Sequence, residues 1–368
     1  MQVGIPKETK DKEHRVALTP GGAKTLHQAG HTVLVQAGAG LGAGFSDAHY
    51  LAAGARVVPV EQAWEAELVL KVKEPLASEY HYLKEQILFT YLPLAGGPHA
   101  LTKALLRQHT TAVAYETVED AQGTLPLLAP MSAIAGNMAI TIGSYYLAGF
   151  NNGKGIQLGT ILGTRSGKVV IIGDGVVGQH AAKTAAGIGA QVVLCGRQRD
   201  RAAQLTQDIS PHLRFFESTP DTIADQLAEA DLVVGAVLVR GAKAPYVVTE
   251  AMVQRMQPGS VIVDVSIDQG GCIATSRPTS HSAPVFETHG VIHYGVTNMP
   301  GAYPRTSTLA LTTATLPYML QLAQHGLDAL RANPGFGKGV NTYKGYITSK
   351  PVAEALGLLS RFKEFDAL

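Results

Sequence analysis

The amino-acid sequence predicts an α/β protein built from two doubly wound domains. Short apolar runs alternate with longer stretches of helical periodicity, which is the rhythm of βαβ units. This alternation occurs in two blocks, separated by a helical stretch that starts near residue 131. The chain has 368 residues, of which 46% are hydrophobic and 16% charged, so it holds enough apolar material for two domain cores.

The first block contains strand-like runs that each end in glycine, proline or charge. We expect strands at residues 3–5, 31–35, 68–72 and 87–91, with a helix at residues 21–29 between the first two. The last residues of the chain are expected to fold back onto this block.

The second block begins with a helix expected at residues 131–150, followed by a loop rich in glycine and asparagine at residues 151–159. A strand at 167–173, a helix at 176–187 and a strand at 191–195 then form a βαβ unit. Further strands are expected at 214–216, 232–234, 261–265 and 291–294, and a final helical stretch at 307–332.

Charge and composition narrow the choice of partners. A formal net charge of +1 and the lack of a dense basic run argue against a nucleic acid or an anionic membrane surface. The most apolar windows are far shorter than the roughly 20 residues that span a bilayer, and the N-terminus does not resemble a secretion signal. The two cysteines, Cys195 and Cys272, have no metal-ligand or disulfide spacing. We therefore expect a small-molecule partner, no metal and a cytoplasmic location.

A glycine-rich turn lies between the first strand and the helix of the βαβ unit. Gly173, Gly175 and Gly178 match the pattern GxGxxG, with Val176 and Val177 at the start of the helix. The first glycine permits the tight turn, the second lets a pyrophosphate approach the backbone, and the third lets helix and strand pack closely. The N-terminus of the helix adds free N–H groups and a positive dipole end. This block is therefore expected to be a Rossmann-like, dinucleotide-binding domain.

The end of the second strand of that unit predicts which dinucleotide binds. An acidic residue usually accepts hydrogen bonds from the ribose 2′-hydroxyl there, but this chain has Gly196 followed by Arg197. A guanidinium suits a 2′-phosphate, and Arg199 adds a second one, so NADP(H) is favoured over NAD(H). The alternative is that the arginines form a solvated face and that Asp200 binds the ribose of NAD(H).

Six longer stretches resemble the alanine dehydrogenase family, to which the amino-terminal part of proton-translocating transhydrogenase is also similar. They are KETKDKEHRVALTP, VLKVKEP, ILFTYLPLA, PMSAIAGNMA, VIVDVSIDQGGC and HYGVTNMPGAYPRTST. The resemblance implies a catalytic domain from residues 1–129 and 300–368 and an inserted Rossmann-like domain at 130–299. It also implies a substrate site in the cleft between them and a homo-oligomer, either a hexamer or a dimer.

The same resemblance implies roles for individual residues. Arg15 is expected to bind the substrate carboxylate, Lys73 to hold the keto oxygen, and Asp268 to take part in catalysis and line the cofactor site. A guanidinium facing a carboxylate and an ammonium beside a developing oxyanion also suit the chemistry. Asn298 is expected to contact the substrate. The remaining expected contacts to the cofactor come from Ser132, Val237, Leu238 and Met299. The three apolar residues of this set can equally be core packing.

One departure from the family pattern concerns proton transfer. Family members have a histidine as general acid and base in FTYLHLA, whereas this chain has Pro93, which cannot move a proton. In one interpretation the chain is an amino-acid dehydrogenase in which His99, His14 or Lys73 covers the proton step. In a second it reduces a cyclic imine carboxylate or a bulkier keto acid, which needs fewer protons moved. In a third it binds a cofactor without turnover, as a sensor or a transhydrogenase-like subunit.

Overall fold

Two parallel-rich sheets, of eight and seven strands, dominate the chain in a computed structural model that describes residues 1–239 and 243–368. The predicted α/β class is confirmed. Contacts divide the described chain into two units: Met1–Met131 with Gly301–Leu368, and Ser132–Pro300. A small hairpin forms a third, two-stranded sheet.

The strands, in chain order, are β1 (Gln2–Ile5), β2 (Thr32–Gln36), β3 (Arg56–Val58), β4 (Leu68–Leu70), β5 (Ile87–Thr90), β6 (Thr111–Ala114), β7 (Gly159–Ile161), β8 (Thr164–Ser166), β9 (Lys168–Ile172), β10 (Gln191–Gly196), β11 (Arg214–Glu217), β12 (Leu232–Gly235), β13 (Val261–Asp264), β14 (Val285–Thr288), β15 (Val291–Tyr294), β16 (Val340–Tyr343) and β17 (Tyr346–Ile347). The helices are α1 (Pro20–Gln28), α2 (Asp47–Ala52), α3 (Val60–Trp64), α4 (His99–Arg107), α5 (Ala129–Tyr146), α6 (Val176–Gly187), α7 (Ala202–Ile209), α8 (Pro220–Leu227), α9 (Glu250–Gln254), α10 (Pro304–His325), α11 (Leu327–Ala332), α12 (Pro334–Gly337) and α13 (Lys350–Ala355).

The sheet of the first unit has the strand order β17-β16-β6-β5-β4-β1-β2-β3. Strands β1 to β6 run parallel to one another, and β4, β5 and β6 are buried along their whole length, as expected where both faces of a parallel sheet are covered. The C-terminal strand β16 pairs antiparallel with β6, so the end of the chain does fold back onto the first block.

The sheet of the second unit has the order β11-β10-β9-β12-β13-β15-β14, and only β14 runs antiparallel to its neighbour. Strand β9 lies between β10 and β12, so the direction in which strands are added reverses at β9. Doubly wound sheets bind ligands in the crevice at the carboxyl ends of the strands at such a reversal. The predicted GxGxxG turn follows β9 directly.

Two helix predictions need correction. The stretch expected as one helix at 307–332 divides into α10 and α11, because Gly326 between them adopts a left-handed φ of 56° that interrupts the helix. The helix expected at 131–150 ends at Tyr146 and is followed by a short 3₁₀ turn, Gly149–Asn151.

Candidate functional site

The glycine-rich turn after β9 is shaped by close backbone contacts. Gly173 has a φ of 116°, and a Cβ there would overlap the carbonyl oxygen of Ala236. A Cβ on Gly178 would overlap the carbonyl oxygen of Gly173, so the first and third glycines are required by packing. Gly175 is different: it caps the N-terminus of α6, and a Cβ there would meet no atom within 4 Å. The turn therefore packs tightly on the protein side and is open on the other, which fits a pyrophosphate.

The first turn of α6 and part of α5 lie beside this turn. Val176 at the first position of α6 is 41% exposed, and Val177 is half-buried. Helix α5 approaches α6 so closely at Gly136 that a Cβ there would overlap the carbonyl oxygen of Val177. Ser132 lies one turn before Gly136, and residues four apart share a helix face. Ser132 is thus on the side of α5 that contacts α6.

An acid from the glycine turn, Asp174, lies against the carboxyl end of β10, and the sequence analysis missed it. A Cβ on Gly196 would stand 2.9 Å from both Cβ and Cγ of Asp174 and 2.7 Å from Cε2 of Phe215. Asp174 is the middle residue of Gly173–Gly175, and its Oδ2 is 3.8 Å from Nη1 of Arg201. Arg197 is exposed, as is Arg199. The space above Gly196 is therefore taken by a carboxylate from the glycine turn.

The loop after β13 brings Asp268 and Asn298 together. The Asp268 carboxylate is exposed and accepts the backbone N–H of Asn298, at 3.0 Å to Oδ1 and 3.3 Å to Oδ2. Asn298 is 8% exposed and has a left-handed φ of 62°, a conformation that asparagine tolerates better than most residues. The backbone N–H of Asn298 thus orients Asp268.

The other residues predicted to line the cofactor divide into two groups. The Val237 N–H donates to Oγ of Ser266 at 2.9 Å, and Leu238 beside it is 46% exposed. Met299 is 2% exposed and packs in the core of the second unit, so its observed contacts are those of a core residue.

Asp264 holds the loop that carries Asp268. Its buried carboxylate accepts the backbone N–H groups of Ser266 at 3.1 Å, Cys272 at 3.1 Å and Ile273 at 3.3 Å. Burial raises the pKa of Asp264, although hydrogen bonds from the Ser276 side chain and from the Cys272 and Ile273 N–H groups oppose the rise. Sequence reasoning passed over Asp264 because a carboxylate that ends a strand and one that faces a ligand look alike in a sequence.

Arg15 is buried in the first unit, with 2% exposure, and is forked onto Glu13. Its Nε lies 2.7 Å from Glu13 Oε1 and its Nη2 lies 2.5 Å from Oε2, while Nη1 lies 3.1 Å from Sδ of Met131. Burial acts to lower the pKa of Arg15, but the bonds to Glu13 outweigh it and the pKa is raised. The guanidinium is thus fixed in place and permanently charged.

Lys73 follows β4 and is positioned through a buried charge cluster that the sequence analysis also missed. Lys71 is 0% exposed, and its Nζ lies 3.1 Å from Oε2 of Glu8 and 3.1 Å from Oε1 of Glu79. Glu8 also accepts the backbone N–H of Val72 at 2.6 Å and that of Lys73 at 3.4 Å. The strand end that carries Lys73 is therefore held by Glu8.

Glu116 lies close to both Lys73 and the loop that contains Pro93. Its two carboxylate oxygens accept the backbone N–H of Leu92 at 2.9 and 3.0 Å. Burial raises the pKa of Glu116 to about 7; the Leu92 N–H and the charge of Lys73 act against this rise. Burial also raises the pKa of the neighbouring Tyr91, where Arg15 opposes the effect and Glu116 adds to it. Arg15 and Lys73 thus act on one connected group of side chains.

The histidines proposed to replace the loop histidine lie at different places. His14 is exposed and, with Arg15, Glu8 and Lys7, lines a cavity of about 220 Å³ in the first unit. His99 is exposed at the first position of α4. Pro93 is exposed and starts a turn in which its carbonyl oxygen accepts the Gly96 N–H at 3.2 Å.

Both cysteines are buried and free, and burial raises the pKa of Cys195 to about 11 and that of Cys272 to about 12. Within residues 1–239 and 243–368, no helix is both long and apolar enough to cross a membrane.

The second unit has a doubly wound sheet with a glycine turn and an open helix N-terminus. The first unit has a fixed guanidinium and a lysine beside a buried carboxyl group. Together these features define a nicotinamide-dependent oxidoreductase. The sequence models described as "Alanine dehydrogenase/PNT, N-terminal domain" and "Alanine dehydrogenase/PNT, C-terminal domain" match residues 4–135 and 139–350. The chain belongs to this alanine dehydrogenase/PNT family, as its motifs predicted.

Individual relatives cover nearly the whole chain. An alanine dehydrogenase of Bacillus subtilis (strain 168) is 52% identical over 361 residues, which span 97% of this chain and 95% of the relative. A solved L-alanine dehydrogenase superposes with a TM-score of 0.92 at 47% identity, covering 97% of this chain and 99% of the other. A transhydrogenase from Sinorhizobium meliloti superposes with a TM-score of 0.80 at 25% identity, covering 95% and 99%.

Proposed function

We propose that the chain interconverts L-alanine with pyruvate and ammonia, and that NADP(H) is its preferred cofactor. In the oxidative direction, L-alanine, NADP⁺ and water give pyruvate, ammonium, NADPH and a proton. We infer the substrate from the relatives, which are alanine dehydrogenases 50–52% identical to this chain over nearly their full length. The observation that carries the proposal is the buried guanidinium of Arg15, which lines one cavity together with Glu8, while Glu8 accepts the backbone N–H of Lys73.

A bound nicotinamide would supply hydride transfer, and the side chains of this chain would bind the substrate, orient it and stabilise the charges that develop on it. The Nε and Nη2 groups of Arg15 donate to Glu13, which fixes the guanidinium, and a fixed guanidinium suits the carboxylate of alanine or pyruvate. The ammonium group of Lys73 is suited to stabilise the keto oxygen as negative charge develops on it. Asp268, oriented by the Asn298 N–H, is suited to stabilise positive charge on the substrate nitrogen.

Glu116 supplies a titratable group beside the loop where Pro93 provides none. A carboxyl group with a pKa of about 7 exchanges protons efficiently near neutral pH. Four titratable groups act on Glu116 or respond to it, namely Lys73, Glu74, Tyr91 and Tyr115. Of these, the cation Lys73 is the one whose charge Glu116 can balance. We therefore assign Glu116 as a positioning residue whose carboxyl group faces the charge of Lys73.

The cofactor preference is supported by the end of β10. Gly196 removes the usual ribose-binding acid, and the exposed Arg197 follows it directly. A hydrogen bond to a charged group contributes roughly 1.5–3 kcal/mol, which corresponds to about 10- to 150-fold in affinity. That range bounds the preference that Arg197 alone can give to NADPH over NADH.

A second candidate function is the NADPH-dependent reduction of a cyclic imine carboxylate. The observation that favours it is Pro93, since such a substrate already contains its C=N bond and needs only hydride at carbon and one proton at nitrogen. Arg15 would hold the carboxylate in the same way. We also keep the cytoplasmic location, the homo-oligomer and the division into a catalytic domain (1–129, 300–368) and a cofactor domain (130–299) as proposals.

Steady-state assays with L-alanine, with pyruvate plus ammonium and with a cyclic imine carboxylate, each with both cofactors, test the proposal. We expect pyruvate turnover with NADPH at a higher kcat/KM than with NADH, and an Arg197→Ala variant that loses this difference. A preference for NADH that survives in Arg197→Ala contradicts the cofactor proposal. Turnover of the imine alone contradicts the substrate proposal and supports the second candidate.

A further inference from the structure

The acid that recognises the cofactor ribose in many Rossmann-like domains is missing from the end of β10, but the space it would occupy is not empty. The Cγ atom of Asp174 lies 2.9 Å from the place where a Cβ on Gly196 would stand. A side chain at position 196 would also meet Phe215 at 2.7 Å. An acidic side chain at position 196 would overlap Asp174. A glycine at position 196 is therefore what leaves room for the aspartate at position 174.

The surroundings of Asp174 suit a carboxylate that contacts a ligand. Its side chain is 15% exposed, so a ligand can reach it, and it lies in the turn between β9 and α6. Oδ2 is enclosed and receives no hydrogen bond within the described part of the chain, so the exposed part of the side chain, through which a ligand would contact it, excludes Oδ2. The nearest cation, Arg201 Nη1, is at 3.8 Å, which is too far for a hydrogen bond but close enough to attract the carboxylate.

We propose that Asp174 is a specificity-determining residue of the cofactor site: it accepts a hydrogen bond from the ribose 2′-hydroxyl of NAD(H) and repels the 2′-phosphate of NADP(H). The proposal rests on the proposed nicotinamide cofactor. Its consequence is that the ribose end carries two opposing determinants, Asp174 for the hydroxyl and Arg197 for the phosphate.

The two determinants have opposite charges, so we expect only a limited preference for NADPH. Asp174 belongs to the turn after β9 and lies against Gly196, whereas Arg197 follows Gly196 at the end of β10. Arg201, which is half-buried, balances part of the charge of Asp174. Both cofactors can therefore bind, and the ratio of their affinities depends on residue 174.

The test measures binding without turnover. Isothermal titration calorimetry of the full-length protein with 5′-ADP and 2′,5′-ADP measures binding of the adenosine half of the cofactor alone. Titrations with NADH and NADPH follow. Asp174→Asn removes the charge and keeps the shape. We expect its affinity for 5′-ADP and NADH to fall about fivefold or more, and its affinity for 2′,5′-ADP and NADPH to rise by a similar factor.

Asp208→Asn is the matched control, because Asp208 is an exposed acid in α7, the helix that follows the arginine-rich turn after β10, and has no proposed contact with the cofactor. The same charge change there should leave the ratio of affinities within about twofold, since exposed charges are screened. An Asp174→Asn variant with an unchanged ratio, or with equal losses for both nucleotides, overturns the proposal. So does a control that shifts the ratio as strongly.

The role of Asp174 and the preference for NADPH can be tested separately. If Asp174→Asn does not fold, as judged by thermal unfolding, Asp174→Ser gives the same comparison with a smaller side chain. The parent ratio and Arg197→Ala decide whether NADPH is preferred, and the shift produced at residue 174 decides whether Asp174 contributes. Either result can fail without the other.

Discussion

Replacing Lys71 by methionine should be far more damaging than its position outside the proposed contacts suggests. The side chain is 0% exposed and lies 3.1 Å from both Glu8 and Glu79. Methionine fills most of the same volume but leaves two buried carboxylates without their cation. Breaking a buried ion pair by removing one partner typically costs 3–5 kcal/mol, so we expect about that loss in the free energy of unfolding.

The loss should also depend on pH in a defined direction. Burial raises the pKa of Glu8, and Lys71 opposes this rise. Without Lys71 the pKa of Glu8 in the folded state rises further above its unfolded value. A carboxyl group raised in this way favours the folded state at low pH and loses that contribution as the pH rises through its folded pKa. The deficit of Lys71→Met relative to the parent should therefore be smaller at pH 5 than at pH 8.

Urea unfolding at both pH values, followed by circular dichroism, measures these quantities. Lys10→Met serves as the matched control, because Lys10 also pairs with a glutamate, Glu74, at 2.8 Å, but its side chain is 35% exposed. Partly exposed pairs contribute about 0–1 kcal/mol. Since Glu8 accepts the Lys73 N–H, kcat/KM of Lys71→Met should also fall at least tenfold under conditions in which it is folded. A loss of less than about 1 kcal/mol, equal to that of the control, refutes the reasoning.

Three further predictions concern residues of the first unit. Pro93→His should raise kcat/KM for pyruvate and ammonium tenfold or more, whereas a parent that already turns over at about 10 s⁻¹ shows that Pro93 is not limiting. Arg15→Lys keeps the charge but loses the planar fork, so KM for 2-oxo acids should rise tenfold or more while the affinity for NADPH is unchanged; an unaltered kcat/KM places the carboxylate elsewhere. Glu116→Gln should remove a titration with a midpoint near pH 7 from the pH profile of kcat. It should also remove the decline in melting temperature that a raised carboxyl pKa causes between pH 5 and pH 8, and profiles identical to the parent would contradict both expectations.

The sequence located most of the secondary structure because the signals are local. The helix expected at 176–187 and the strand expected at 291–294 have the bounds found in the structure. Each glycine of the GxGxxG turn also has a physical reason that the pattern anticipated. Short strands such as β3 and β6 were missed, because three or four residues carry too little periodicity to be distinguished from a loop.

The charged network around Lys73 shows what sequence alone could not supply. Lys71 and Glu8 are 63 residues apart, and in the sequence Lys71 looks no different from the lysine two positions later. Whether a lysine is buried in an ion cluster or points at a substrate depends on which strands become neighbours in the sheet. The same holds for Glu116, whose pKa is raised by burial rather than by any neighbour in the chain.

The glycine turn after β9 and the end of β10 show most clearly which features the sequence determines and which the tertiary structure determines. From the sequence alone, Gly173, Gly175 and Gly178 predicted a dinucleotide site, and Gly196 with Arg197 predicted a preference for NADP(H), because turn glycines and strand ends are local features. Only the tertiary structure placed Asp174 against Gly196, since β9 and β10 must first pair in register for the glycine turn to reach the neighbouring strand end. Local backbone geometry depends on residues that are close in the sequence, but which charged groups meet across a sheet depends on how the strands pair.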